Sequence, residues 1–516
     1  MEQFYKIVRF DYLQRTRSYA FLVTLAISLY AAYSFIPAPG SNYTTLRIGD
    51  YLGVQNSAWI GYVTAMMSSV FLTMIGFYLV NSNIKKDVDT GVGMIIATTS
   101  ISNFHYLLAK AWSNFMVLLT ITGIVFIMGV ALFFARSHGY PFEIMQFILP
   151  YLFITVPTIF FIAALAVVAE VFLYRYTVIM NVGFFFFFIA TSVLQTNVLP
   201  IFDLFGFAQV TAHMQDIVAS QYHQKINTVS MGFVFDQKKA FHFFVFEGIR
   251  WSLSTVLVRI SLILFGLVIV FISSKFFHRF DIKERYKVKK KTKSLESIPQ
   301  ARILNEIRLS ALPAITPSYK IMPFIKTELL MLIRKGPRWL WVINLGGMIA
   351  LIFAPIPAAH QIVLPILWFL QVGRLSDLAT KEKTNRIHYF SYASYKPLTR
   401  LLPAQIVAGI VLLLVLAAPL LIRYLVEIQF LPVMSIIMGG AFIVLFAVAF
   451  GILSGGKKLF EILFFLFTYS NIELVPYADY FGGMNHGPRY TELIFGLIAF
   501  LAFVSFMLRK WEMARV

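Results

Sequence analysis

The sequence predicts an all-α polytopic membrane protein with about 12 transmembrane helices, and three observations predict it. Of its 516 residues, 59% are hydrophobic and only 13% charged, with a mean hydropathy of +0.75; a soluble domain has roughly 45–50% apolar and about 25% charged residues. The apolar residues fall in blocks of about 18 or more, so lipid is the solvent for much of the chain. When the blocks are threaded alternately from an inside N-terminus, 35 of the 44 Lys and Arg residues fall on one side, as cytoplasmic loops require. The +20 net charge is therefore a label of topology in the cell (inner) membrane, with both termini cytoplasmic. Anionic lipid is a sufficient partner for it, and no nucleic acid is needed. The absence of cysteine excludes disulfides, thiolate metal sites and a cysteine nucleophile.

In chain order, residues 1–18 alternate Phe4, Ile7, Val8 and Tyr12 with Lys6, Arg9, Arg15 and Arg17, which predicts an amphipathic interfacial helix before span 1. Six spans follow at about 19–36, 58–81, 113–135, 146–169, 177–197 and 255–274. The first is as long as a bilayer is thick, and no small-residue cleavage pattern follows it. The outer loop 198–250, with apolar residues distributed throughout it, is expected to fold into short re-entrant or interfacial helices. A basic cytoplasmic linker, 278–319, carries Lys287, Lys289, Lys290, Lys291 and Lys293, then Pro299, Pro313 and Pro317. It divides a first six-span half, 1–277, from a second, 320–516. The second half opens on another amphipathic segment (Ile325, Leu329, Leu332 and Ile333 with Lys326, Arg334, Lys335 and Arg338), before spans at 339–356, 358–373, 402–422, 432–452, 459–476 and 490–508. Pro150, Pro157, Pro355, Pro357, Pro365 and Pro419 are expected to bend or break spans 4, 7, 8 and 9, which protein-lined cavities tolerate.

The halves read as diverged copies. At a constant offset of 295, Lys86 meets Lys381, Asp87 meets Glu382, Thr99 meets Ser394, His105 meets Arg400, Leu107 meets Leu402 and Ala109 meets Ala404. At an offset of 317, Arg9 meets Lys326, Asp11 meets Glu328, Leu13 meets Leu330 and Arg17 meets Arg334. The difference matches an outer loop, 37–57, that is almost absent from the second half. Six spans per copy is an even number, so the repeats insert in parallel orientation about an axis along the membrane normal.

The paired cytoplasmic loops carry most of the functional inference. Asp87-x-x-Thr90-Gly91-x-Gly93, a small and polar turn, and Tyr106-Leu-Leu-Ala-Lys110 resemble the cytoplasmic loop of ABC-2 type transporter permeases. The amphipathic segment before span 1 is similar to that family's interfacial connecting helix. The resemblance implies a transmembrane permease subunit of an exporter, whose coupling helices 87–110 and 381–405 dock on a separate cytoplasmic ATP-binding dimer. It implies docking by Asp87, Asp89, Thr90, Gly91, Gly93, Tyr106 and Lys110 in the first loop and by Glu382, Asn385, Arg386 and Arg400 in the second. Arg386 stands where Gly91 does, and Gln405 where Lys110 does, so the second loop departs from the pattern.

The chain itself has no Gly-x-x-x-x-Gly-Lys-Ser/Thr loop; ATP and Mg²⁺ would belong to the partner, and no cofactor or catalytic residue is expected here. Leu453-Ser454-Gly455-Gly456 spells an ABC signature core but lies between spans and reads as a turn. Glu170, Arg175 and Arg259 are ionisable at or near the bilayer, functional candidates by default but placed where they can snorkel. The run Phe184–Phe188 reads as lipid-facing or packing surface rather than a ligand cage. His213, His223 and His242 lack metal-site spacing. One chain supplies both halves, so a homodimer is an alternative and not a requirement. The rival readings are a secondary transporter, which would need ionisable groups deep in the bundle, and a non-transport membrane scaffold driven by an ATPase.

Overall fold

The computed structural model describes residues 2–38, 40–137, 139–174, 176–194, 203–223, 226, 228–235, 241–277, 320–472, 475, 478–484 and 488–515. The linker 278–319 and Arg175 lie outside them.

Helix α1 (Glu2–Thr16) runs into α2 (Tyr19–Ser34) across a break where Ser18 caps α2, its hydroxyl accepting from the Phe21 N–H at 3.2 Å. A hairpin of β1 (Tyr43–Ile48) and β2 (Tyr51–Gly53) leads to α3 (Ser57–Val80). Every residue of α3 except Val70 is buried, because α6, α7 and a helix of the second half enclose it. Close approach sets two glycines here: a Cβ on Gly53 would lie 2.1 Å from the Trp59 ring, and one on Gly61 would lie 2.1 Å from the Gln146 carbonyl.

Short helices α4 (Asn83–Thr90) and α5 (Val92–Ala97) lead to α6 (Asn103–Arg136). At ~1.5 Å per residue, the 34 residues of α6 span about 51 Å, well beyond a hydrocarbon core of about 30 Å. The helix thus extends about three turns past the predicted span and carries Tyr106 and Lys110 out to the loop. Helix α7 (Met145–Leu173) is followed by α8 (Thr177–Leu194), α9 (Phe207–Tyr222), β3 (Val229–Phe235), β4 (His242–Phe244) and α10 (Leu253–Phe276).

The second half begins with α11 (Met322–Arg334) and α12 (Trp339–Phe353), bent by 99° at Gly336-Pro337, where Gly336 has φ +93°. Helix α13 (Ile356–Phe369) is followed by the short turns α14 (Val372–Leu375), α15 (Lys381–Thr384) and α16 (His388–Tyr392). Then come α17 (Pro397–Val426), α18 (Phe430–Ser454), α19 (Lys458–Ile472) and α20 (Pro488–Met513).

The chain is an α-helical polytopic membrane protein. Among the described residues, seven helices are long and apolar enough to cross a membrane, those containing α3, α6, α7, α10, α17, α18 and α20, or eight with the bent α11–α12 pair. Of the remaining expected spans, α2, α8 and α13 contain shorter apolar helices, and α19 is a helix of 15 residues.

The expectation of an all-helical chain takes one correction. The two loops 37–57 and 198–250 meet in a four-stranded sheet of order β3-β1-β2-β4. Strand β1 pairs antiparallel with β3, Tyr43 opposite Phe235 and Ile48 opposite Val229, while β2 pairs parallel with β4. Helix α9 packs against the sheet. A single short strand cannot satisfy its backbone alone, so neither loop betrays the sheet by itself.

The prolines act unevenly. In α7 the turn Tyr151–Thr155 is π-helical and lies between Pro150 and Pro157; in α13 the π turn Ala359–Val363 lies between Pro357 and Pro365. A proline cannot donate to the carbonyl four residues back. The residue before it bonds five back instead: Val156 N–H to Tyr151 O, and Leu364 N–H to Ala359 O. Helix α17, by contrast, continues through both Pro403 and Pro419, so Pro419 does not break it.

The halves meet through aromatic side chains. Phe185 of α8 packs on Phe369 and Phe465 at centroid distances of 4.7 and 5.1 Å, and Tyr78 of α3 packs on Phe465 at 4.6 Å. Phe184, Phe185 and Phe188 are buried while Phe186 is exposed, so the phenylalanine run is largely packing surface. At one end Lys458 of α19 donates to the carbonyls of Leu79 and Asn81, which close the C-terminus of α3. Asn181 donates to Glu461 at 3.4 Å.

Candidate functional site: two loop corners on one face

The loops singled out in sequence lie on the face that carries α1 and α11. In the first, Lys110 Nζ sits 2.7 Å from Asp11 Oδ2 and 2.6 Å from Asp87 Oδ2. The Tyr106 hydroxyl donates to Asp87 Oδ2 at 2.8 Å, and the Asn83 amide donates to Asp11 Oδ2 at 3.1 Å. Asp87, Tyr106 and Lys110 are buried. Helices α1, α4 and α6 are thus tied by one ammonium between two carboxylates. Burial lowers the Arg15 guanidinium from its usual range, against the pull of Asp11; Arg15 donates to Asn114 of α6.

The second loop repeats the arrangement with exchanged side chains. Gln405, the counterpart of Lys110, donates through Nε2 to Glu382 Oε1 at 2.6 Å, and Glu382 is the counterpart of Asp87. Lys381 pairs with Glu328, the counterpart of Asp11. Burial and the neighbouring Glu382 carboxylate hold Glu328 above the usual carboxylate range, opposed by Lys381.

Past each anchor the backbone breaks at the same register. Gly91 has φ +76° and Arg386 has φ +57°, so an arginine occupies a left-handed position that usually goes to glycine. Beyond the break, Val92, Met94 and Ile95 are exposed, and so are Ile387, Tyr389 and Phe390. These are the same three positions in each loop, 295 residues apart. Ile95 is 69% and Phe390 82% accessible, values that mark open faces rather than gaps in packing.

The sequence-predicted residues therefore divide. Asp87, Tyr106, Lys110 and Glu382 are interior anchors, and Gly93 is also buried. Thr90, Asn385 and Arg386 are exposed, and Arg400 is half-buried, its guanidinium 4.8 Å from the Phe324 ring centroid. Asp89 lies in α4, and its side chain is outside the described residues. The six exposed apolar residues were not among the candidates, although apolar residues at matching positions in two polar loops were a readable signal. Asp11, Glu328 and Lys381 were visible only as matched pairs.

The intramembrane candidates are held by partners. Glu170 accepts the N–H groups of Asn83 and Ile84 at 2.9 and 2.7 Å and so caps α4 from the α7 side. Arg259 does not snorkel: it is buried, pairs with Asp203 at 3.1 Å and donates to the Asp203 carbonyl at 2.5 Å. Asp203 in turn accepts from the N–H groups of Phe207 and Ala208 at the start of α9. Gly455 ends α18 in the left-handed region, so the Leu453–Gly456 sequence is a helix terminus and turn. Among the described residues no group of three His, Cys, Asp or Glu side chains could hold a metal ion. A groove of about 400 Å³ runs between α1 and α6, walled by Phe4, Val8, Tyr12, Trp112 and Met116 with Arg9 at its edge.

Comparisons with known protein families, with characterised proteins and with solved structures find no match to this chain.

Proposed function

We propose that the chain is the permease subunit of an ATP-driven ABC-2 type transporter, an exporter, built from two fused six-span halves. In this reading α2, α3, α6, α7, α8 and α10 are the spans of one half, and α12, α13, α17, α18, α19 and α20 those of the other. Each half is preceded by an interfacial helix, α1 or α11. Two sets of contacts between the halves support this reading: α3 meets α19, and α8 meets α13 and α14. The second span of each half thus touches the fifth span of the other.

One observation carries the functional reading: the pair of apolar corners, Val92/Met94/Ile95 and Ile387/Tyr389/Phe390, placed alike on the basic face. Fully burying an aliphatic or aromatic side chain contributes about 1.5–3 kcal/mol, and an exposed apolar cluster on a polar loop marks an interaction surface. Two equivalent corners fit a partner with two equivalent clefts, which is what an ATP-binding dimer offers. The buried anchors transmit its motion. Lys110 and Gln405 lie on the helices that become spans 3 and 9, so displacement of a corner is passed to those spans and to α1 or α11. ATP and Mg²⁺ are bound by the partner. The basic face is cytoplasmic, with anionic lipid around α1.

The test is binding and stimulation of a P-loop ATPase by the purified chain in lipid vesicles. Ile95→Asp combined with Phe390→Asp is expected to abolish both while leaving chain abundance unchanged. Substrate movement that proceeds without nucleotide, driven by a proton gradient, would overturn the reading in favour of secondary transport.

A further inference from the structure

Helix α1 is fastened to α6 through its last turns, where Asp11 pairs with Lys110 at 2.7 Å and Arg15 donates to Asn114. Its earlier turns instead wall the groove of about 400 Å³, Phe4 and Val8 facing Trp112 and Met116 across it. On α6 the lining runs from Trp112 inward to Thr120, about 12 Å along the axis at ~1.5 Å per residue. That volume lies within the range of about 300–1,000 Å³ usual for small-ligand sites.

Two of the walls are fixed in place. The Trp112 ring packs on Phe115 and Phe160 at centroid distances of 5.5 and 6.3 Å. The Tyr12 hydroxyl shares a hydrogen bond of 3.0 Å with Thr120 Oγ1. Neither ring is therefore free to swing across and close the groove. At the rim, Arg9 is exposed and has no carboxylate partner among the described residues. The other cations nearby are engaged: Lys6 pairs with Glu2 at 2.6 Å, Lys110 with Asp11 and Asp87, and Arg15 with Asn114.

A long lining of apolar side chains with one unpaired guanidinium at its mouth matches a hydrocarbon chain that carries an anionic head, because a guanidinium binds phosphate oxygens through charge-assisted hydrogen bonds. A peptide segment would bring backbone N–H and C=O groups that this lining cannot satisfy.

We propose that the groove is a binding site for one anionic phospholipid, with an acyl chain between α1 and α6 against Trp112 and Met116 and the phosphate on Arg9. The site holds whether or not the chain is a permease.

The ring in the wall supplies the readout, since bromine on an acyl chain quenches a tryptophan only near contact. The full chain is placed in phosphatidylcholine vesicles that contain a small, equal fraction of brominated phosphatidylglycerol or brominated phosphatidylcholine. The difference between the parent and Trp112→Phe isolates the emission of this one ring among seven tryptophans. Brominated phosphatidylglycerol is expected to reach half-maximal quenching of Trp112 at a fraction about fivefold lower than brominated phosphatidylcholine, the preference that one cation near the surface confers. Arg9→Gln should bring the two lipids together, and Val8→Phe, which narrows the groove, should weaken quenching by both. Equal quenching of the parent by the two lipids, a phosphatidylglycerol preference that survives Arg9→Gln, or quenching indifferent to Val8→Phe would overturn the proposal.

Discussion

Lys110 is the residue on which most of the first corner depends. Its ammonium is the shared partner of Asp11 and Asp87, and Lys110 and Asp87 are themselves buried. Removing one partner from a buried ion pair costs about 3–5 kcal/mol, because a charge is left uncompensated. Lys110→Met is therefore expected to lower the thermal unfolding midpoint sharply, and Asp87→Asn in the same chain should recover part of the loss. Equal midpoints for the single variant and the parent would remove the anchor from the account. Arg386 gives a smaller and opposite test. A non-glycine residue in the left-handed region costs on the order of 1 kcal/mol. Arg386→Gly should thus raise stability slightly, and Gly91→Arg should lower it, as read from paired melting curves.

At the scale of elements, the sequence was legible where one periodic segment made one helix. It was less so where two distant segments made one unit. The amphipathic patterns of 1–18 and 320–338 became α1 and α11, and the matched loops became matched corners. The sheet was illegible because β1 and β3 are about 180 residues apart and too short to announce themselves. Arg259 was misread for a related reason: position near a span end suggested snorkelling, while its partner Asp203 lies in the distant outer loop. That pairing predicts that Arg259→Leu frees the start of α9 and opens the outer unit to proteolysis, whereas a snorkelling arginine would lose nothing. The groove between α1 and α6 carries a further expectation. Arg9→Gln should reduce retention of phosphatidylglycerol over phosphatidylcholine in native mass spectrometry, since one cation near the surface contributes about 1 kcal/mol toward anionic lipid. Equal retention would leave α1 as an anchor without lipid preference.

For the whole molecule, the aromatic seam between halves explains how one chain can hold two bundles together without relying on the 278–319 linker. Phe185, Phe369 and Phe465 interlock across it, and Lys458 closes the C-terminus of α3. Residues 1–277 and 320–516, co-expressed as separate fragments, are expected to purify as a complex, and Lys458→Met should weaken that complex. Fragments that never associate would place the cohesion in the linker. The seam could not be read from sequence because any phenylalanine-rich helix suits lipid as well as protein; only the facing helix decides.

The central claim is that the two apolar corners receive one ATP-binding partner. Single cysteines at Ile95 and at Phe390, introduced into the cysteine-free chain and crosslinked in intact cells, test it most directly. The account predicts that both positions capture the same P-loop ATPase and that ATP binding changes the crosslinking yield at both together. Corners that crosslink only to lipid, or that capture two proteins without nucleotide-binding activity, would contradict it.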